Sequence, residues 1–71
     1  MSRAYVQVAL PVPLRTLFTY GVPEGVEISA GTRVQVSFGP RRLIGLVAHS
    51  PTTEAPAGME PSKIKDLQKV L

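Results

Sequence analysis

The sequence has no cysteine and no tryptophan, a single histidine, and no apolar run approaching the roughly 18 residues of a membrane span. Without thiols there is no disulfide framework and no thiolate zinc site, and His49 alone cannot build a metal centre. The segment from Met1 to Pro13 lacks the apolar core and small-residue cleavage site of a secretory signal, so a cytoplasmic address and no membrane partner are expected. Also missing are a Gly-x-Ser-x-Gly elbow and a glycine-rich phosphate loop ending in Lys and Ser or Thr. Glu24, Glu27, Glu54, Glu60 and Asp66 fall in expected loops or beside lysines, where a solvated carboxylate is the simplest assignment. No catalytic residue, metal ligand or cofactor is therefore expected, and the chain does not read as an enzyme.

What is present is a short, punctuated, apolar chain. Of 71 residues, 44% are hydrophobic and 18% charged, with seven Pro and six Gly. That is too apolar for a disordered tail and too interrupted for a helical bundle, so one domain over residues 1–71 is expected. Eight Lys and Arg against five Asp and Glu leave a net charge of +3, which suits polyanionic partners without selecting one.

Period-2 alternation sets the expected strands. Ala4 to Leu10 alternates Ala4, Val6, Val8 and Leu10 against Tyr5, Gln7 and Ala9, and Pro11-Val12-Pro13 ends pairing by removing two backbone donors. Leu17 to Val22 is aromatic and β-branched and closes on Pro23-Glu24-Gly25. Thr32 to Phe38 alternates most cleanly, with Val34, Val36 and Phe38 on one side. Gly39-Pro40-Arg41-Arg42 reads as a basic hairpin loop before a strand from Leu43 to Ser50, in which Gly45 predicts a sharp bend. Residues 51–62, with Pro51, Pro56 and Pro61, read as a flexible connection. In the tail, Ile64, Leu67 and Leu71 have helical spacing, but a strand over Lys63 to Leu71 better completes a small sheet. The expected fold is all-β, a partly closed barrel or roll of four to six short strands with Gly and Pro turns.

Candidate binding residues are few. Phe18, Tyr20 and Phe38 serve either as core or as a stacking platform for bases. Gly39 serves either the hairpin turn or the close approach of a ligand to backbone groups. Arg41 and Arg42 are a solvated cap or auxiliary phosphate contacts, and His49 is an edge imidazole without an assigned role.

The runs Val8-Ala9-Leu10-Pro11-Val12-Pro13-Leu14, Phe18-Thr19-Tyr20-Gly21-Val22-Pro23-Glu24-Gly25, Gly31 to Gly39 and Gly45-Leu46-Val47 occur in one order. In that order, and with the closing stretch Lys63 to Leu71, they resemble the N-terminal domain of the PriA family of replication-restart helicases, also called primosomal protein N′. The resemblance covers nearly the whole chain. It implies a domain that binds the 3′ end of the nascent leading strand at a stalled or abandoned fork, within a longer bacterial protein. ATP and zinc belong, by the same resemblance, to regions absent here. The remaining helicase domains, replication-restart proteins and single-strand-binding protein are the implied partners, in a cytoplasmic, nucleoid-associated setting.

By position within those runs, the resemblance implies a pocket for the terminal nucleotide made by Phe18, Thr19, Gly39 and Lys65. The aromatic ring would wall the base, Gly39 would admit the sugar, and Lys65 would offer an ammonium to an oxygen. Thr19 departs from relatives that carry Asp there, replacing a charged acceptor with a shorter neutral hydroxyl. Lys63, two residues before Lys65, is an alternative pocket lysine. Two other functions fit parts of the sequence: the hairpin from Gly31 to Val47 is compatible with an SH3-like or KOW-type barrel that binds RNA or protein, and the basic surface with a scaffold packed on a helicase core.

Overall fold

The computed structural model describes residues 4–13 and 16–71. Leu14, at the end of the first of the runs above, lies outside the described residues. Five strands form one antiparallel sheet: β1 (Ala4–Ala9), β2 (Phe18–Val22), β3 (Arg33–Phe38), β4 (Arg41–Val47) and β5 (Lys69–Val70), in the order β2-β1-β4-β3-β5. The only helical turn among the described residues is a 3₁₀ segment at Pro61–Lys63. The chain is thus all-β, a curled half-barrel.

The expected strands are present, with shifted ends. β1 stops at Ala9 and β2 starts at Phe18, each a residue inside its expected range. The larger change is at the β3–β4 hairpin. Its turn is only Gly39-Pro40, and Arg41 and Arg42 already belong to β4, opposite Phe38 and Ser37. Gly39 has φ +59, and proline fixes a negative φ at the next position, the pattern of a tight primed hairpin turn whose twist matches the strands. The expected four-residue basic loop is therefore corrected to a two-residue turn. β4 ends at Val47, short of the expected Ser50, and His49 lies exposed in a bend beyond it.

Alternation buries Val6, Val8, Tyr20, Val22, Val34, Val36 and Val47 on the concave side, joined by Leu67 from the tail. Gly45 lets β1 cross close to β4: a Cβ there would come within 2.5 Å of Val8 Cγ1 and 2.7 Å of the Ala9 carbonyl oxygen. Tyr5, on the face that alternation assigns away from this core, is buried as well. It shares a groove with residues 49–57, and Thr52 exchanges backbone hydrogen bonds with it at 2.7 and 2.9 Å.

The tail spans the open side of the half-barrel. Gly21 on β2 donates to the Lys65 carbonyl and accepts from the Leu67 amide, both at 2.9 Å. Gln68 and Leu71 then donate to the carbonyls of Gln35 and Arg33 on β3, at 2.8 and 2.9 Å. A single extended segment thereby engages both outer edges of the four-stranded core. Its strand character is broken into an isolated bridge at Asp66 and the two residues of β5, rather than running from Lys63 as expected.

Candidate DNA-binding cavity

β2 and β3 are not neighbours in the sheet, yet its curl brings their ends together. The Tyr20 hydroxyl donates to the Ser37 carbonyl at 2.8 Å, and burial pushes the Tyr20 pKa above its ordinary value. Phe18 and Phe38 meet edge to face, with ring centroids 5.0 Å apart and planes at 81°. Such a pair contributes about 0.5–1.5 kcal/mol beyond burial, and both rings are only half-buried. Phe18 also packs against the core, and the two rings together form an accessible wall.

A cavity of about 270 Å³ opens at this junction. Phe18, Thr19 and Tyr20 line it from β2, Ser37, Phe38 and Gly39 from β3 and the hairpin turn, and Met59, Lys63, Ile64 and Lys65 from the segment leading to the tail. The four residues marked by the resemblance, Phe18, Thr19, Gly39 and Lys65, therefore share one cavity although 47 positions separate the first from the last by number. Lys63 shares it too. It closes the 3₁₀ turn rather than lying on a strand beside Lys65, so the two lysines reach the cavity from a turn and from an extended segment. Among the described residues no carboxylate lines this cavity.

Arg41 and Arg42 do not line it. Adjacent strand residues face opposite sides, so Arg41 shares a face with Phe38 across the ladder and Arg42 shares the convex face with Ser37. His49 lines the separate groove over Tyr5. At Gly39 a Cβ would meet nothing within 4 Å, so the glycine is required by its positive φ rather than by a crowded wall.

Two features at Thr19 define what it offers. Gly21 turns its amide and carbonyl outward to the tail, and strand alternation turns those of Thr19, two residues earlier, to the same edge, where the cavity lies. Its hydroxyl accepts a hydrogen bond from Gln7 Nε2 at 2.8 Å across the β1–β2 ladder. The sequence reading missed Gln7, Ser37 and Met59. Gln7 was recoverable in part, since alternation puts it on the non-core face, but its register opposite Thr19 was not; Met59 sits in an unpatterned loop.

A small antiparallel half-barrel that gathers two aromatic rings, a strand edge and two lysines around one cavity is a binding module suited to an anionic ligand. Over residues 7–71 the chain matches the family described as the PriA 3′DNA-binding domain (3′BD), and it belongs to that family. It is 49% identical over 47 residues to the replication restart protein PriA of Haemophilus influenzae, covering 66% of this chain. It is 36% identical over 55 residues to the protein of the same name from Synechocystis, covering 78%. Each alignment spans 6% of the relative's length. The chain is thus a DNA-binding domain of the replication-restart type. Among its described residues no helix is long and apolar enough to cross a membrane.

Proposed function

We propose that the domain binds the 3′-terminal nucleotide of a DNA strand, and that in a longer protein this targets the nascent leading strand at stalled or abandoned forks for replication restart. The observation that carries this is the convergence of Phe18, Thr19, Gly39 and Lys65 on one small cavity. A base stacks on or against the Phe18–Phe38 pair, backbone groups of Thr19 meet polar atoms of the nucleotide, and Lys65 and Lys63 neutralise the adjoining phosphates. On this proposal a free 3′-hydroxyl is preferred because a 3′-phosphate or a continuing strand adds bulk and charge at the position that the terminal sugar occupies. ATP hydrolysis, zinc binding and contacts with other restart proteins and single-strand-binding protein belong, on this proposal, to the rest of the polypeptide in a cytoplasmic, nucleoid-associated setting.

The test is fluorescence anisotropy with matched single-stranded oligonucleotides ending in a free 3′-hydroxyl, a 3′-phosphate or a blocked 3′ end. Tighter binding of the free hydroxyl is expected, with a shallow log–log salt slope of roughly −1 to −2, as two or three neutralised phosphates give. Equal binding of all three ends overturns the proposal.

A second role is favoured by the convex face, where Ile44 and Leu46 on β4 are 43% and 50% exposed. With Ala9, Leu10 and Pro11 they line a shallow apolar depression beside Arg33, which suits packing against other domains of the same polypeptide.

A further inference from the structure

We propose that Arg41 receives a phosphate of the strand as it leaves the cavity, giving the domain a second subsite for the nucleotides that precede the 3′ terminus. This rests on the end-binding function above and extends it to a residue outside the cavity. β3 has β4 along one edge and β5 along the other. The carbonyls of Arg33 and Gln35 face the β5 edge, where they accept from the amides of Leu71 and Gln68. Ser37, in the same alternation, turns its carbonyl to that edge and accepts from the Tyr20 hydroxyl. The cavity, lined by β2 and by the segment that precedes β5, therefore lies off this edge at the end of β3. Arg41 lies across the opposite edge. It is the direct partner of Phe38 in the β3–β4 ladder, so its side chain leaves the sheet on the same face as the Phe38 ring, the Cβ atoms of such a pair being about 5 Å apart. The ring thus separates the cavity from the arginine, and a strand that runs back over the ring from its terminal nucleotide meets Arg41 on the far side.

Charge and commitment single out this residue. Arg41 is exposed, and among the described residues it makes no ion pair, side-chain hydrogen bond or ring contact. None of the five strands carries a carboxylate. Its guanidinium is therefore a permanently charged fork of donors, matched to a phosphate and anchored at its base by the tight turn of Gly39 and Pro40. Lys63 and Lys65 reach the cavity from the tail side, so cations stand on both sides of the aromatic wall and bracket the strand. Arg42 has the same charge one residue away, but it pairs with Ser37 and leaves the sheet on the convex face. Comparing the two arginines therefore separates placement from net charge.

The test is anisotropy with a ten-nucleotide single strand ending in a free 3′-hydroxyl, together with competition by a dinucleotide of the same end, whose single phosphate falls to the lysines. Arg41→Gln is expected to weaken binding of the longer strand about three- to fivefold at low salt and to reduce the log–log salt slope by about 0.7, the share of one single-strand phosphate. Competition by the dinucleotide is expected to stay within about twofold of that seen with the unsubstituted domain. Arg42→Gln is expected to change neither reading, and Arg41→Lys to restore the salt slope.

Equal losses in the Arg41→Gln and Arg42→Gln variants report the field of the whole domain and overturn the proposal. So does an Arg41→Gln loss that is as large for the dinucleotide, or binding by that variant equal to that of the unsubstituted domain. Equal binding of 3′-hydroxyl and 3′-phosphate ends by the unsubstituted domain is a different failure, since it removes the end-binding function itself.

Discussion

The β3–β4 hairpin and the C-terminal segment hold the same half-barrel by opposite means. The hairpin is local: six consecutive pairs run from Arg33 opposite Leu46 to Phe38 opposite Arg41, closed by a two-residue turn. The segment from Ile64 to Leu71 is non-local, fixed by backbone hydrogen bonds to two strands, including the short β3–β5 ladder, and by the side chains of Ile64 and Leu67. Contacts of the first kind form with little loop-closure entropy, whereas those of the second need the rest of the sheet in place. The cavity takes its aromatic wall from β2 and the end of β3 and its ammonium groups from the tail side, so binding chemistry is divided between a robust region and a conditional one.

That contrast is broken most severely from the sheet side. Gly45→Ala places a Cβ 2.5 Å from Val8 Cγ1 and 2.7 Å from a backbone oxygen, an overlap that requires β1 and β4 to separate. Overpacking of this kind costs about 1–3 kcal/mol or more, against a total of roughly 4–10 kcal/mol for a chain of this length. Loss of a cooperative urea transition is expected, and an unchanged midpoint would show that the crossing is looser than described.

Leu67→Ala attacks the other region. Leu67 is the tail residue that joins the central valine cluster, and its truncation is expected to lower stability by about 2–4 kcal/mol. Hydrogen exchange sharpens the comparison: the amides of Gly21, Leu67, Gln68 and Leu71 should lose protection well before those of β3 and β4. Uniform loss would mean that the two regions open as one unit.

Lys65→Ala separates binding from folding. Its side chain is exposed and its backbone carbonyl, which accepts from Gly21, is retained, so stability should hold while affinity for a 3′-hydroxyl oligonucleotide falls about tenfold. Lys63→Ala, measured alongside, shows how the two lysines divide that contribution.

A smaller effect is expected at the join of the two halves of the cavity wall. Tyr20→Phe removes the bond to the Ser37 carbonyl and should cost about 1 kcal/mol. Because burial raises the Tyr20 pKa above 10.0, the unfolded chain ionises first. The folded state therefore keeps this contribution below pH 10.0 and loses it as pH climbs through the raised value. Thermal melts at neutral and alkaline pH should show the sag in the unsubstituted domain and less of it in the phenylalanine variant. Smallest of all, Leu46→Ser on the convex face should change the isolated domain's stability by within about 0.5 kcal/mol and leave DNA binding intact.

The same contrast governs what the sequence made legible. The β3 alternation of Val34, Val36 and Phe38 and the Gly45 bend could be read directly, because local pattern and final structure agree there. The extent of β4 was misjudged because Gly39 and Pro40 suffice for the turn, leaving Arg41 and Arg42 to the ladder. The tail was ambiguous for a physical reason: Ile64 and Leu67 are buried at a spacing of three, like a helix face, because an extended segment crosses from one strand edge to another and dips into the core twice. Phe18 and Gly39 could be singled out by residue type, but Thr19 and Lys65, and the grouping of all four, were reachable only through family resemblance, since no local period links three positions in β2 and the hairpin to a fourth in the tail. Gln7 needed the strand register, which no single sequence supplies.

The tail that completes the cavity also occupies the outer backbone edges of β2 and β3, and those are the places where a half-barrel could recruit a strand from another molecule. The same few residues thus act as a guard against self-templating. A protein shortened at residue 63 would lose more than its lysine: it would expose two unpaired edges beside a valine-rich interior, and its fate in a concentrated solution would be set by how quickly those edges find each other.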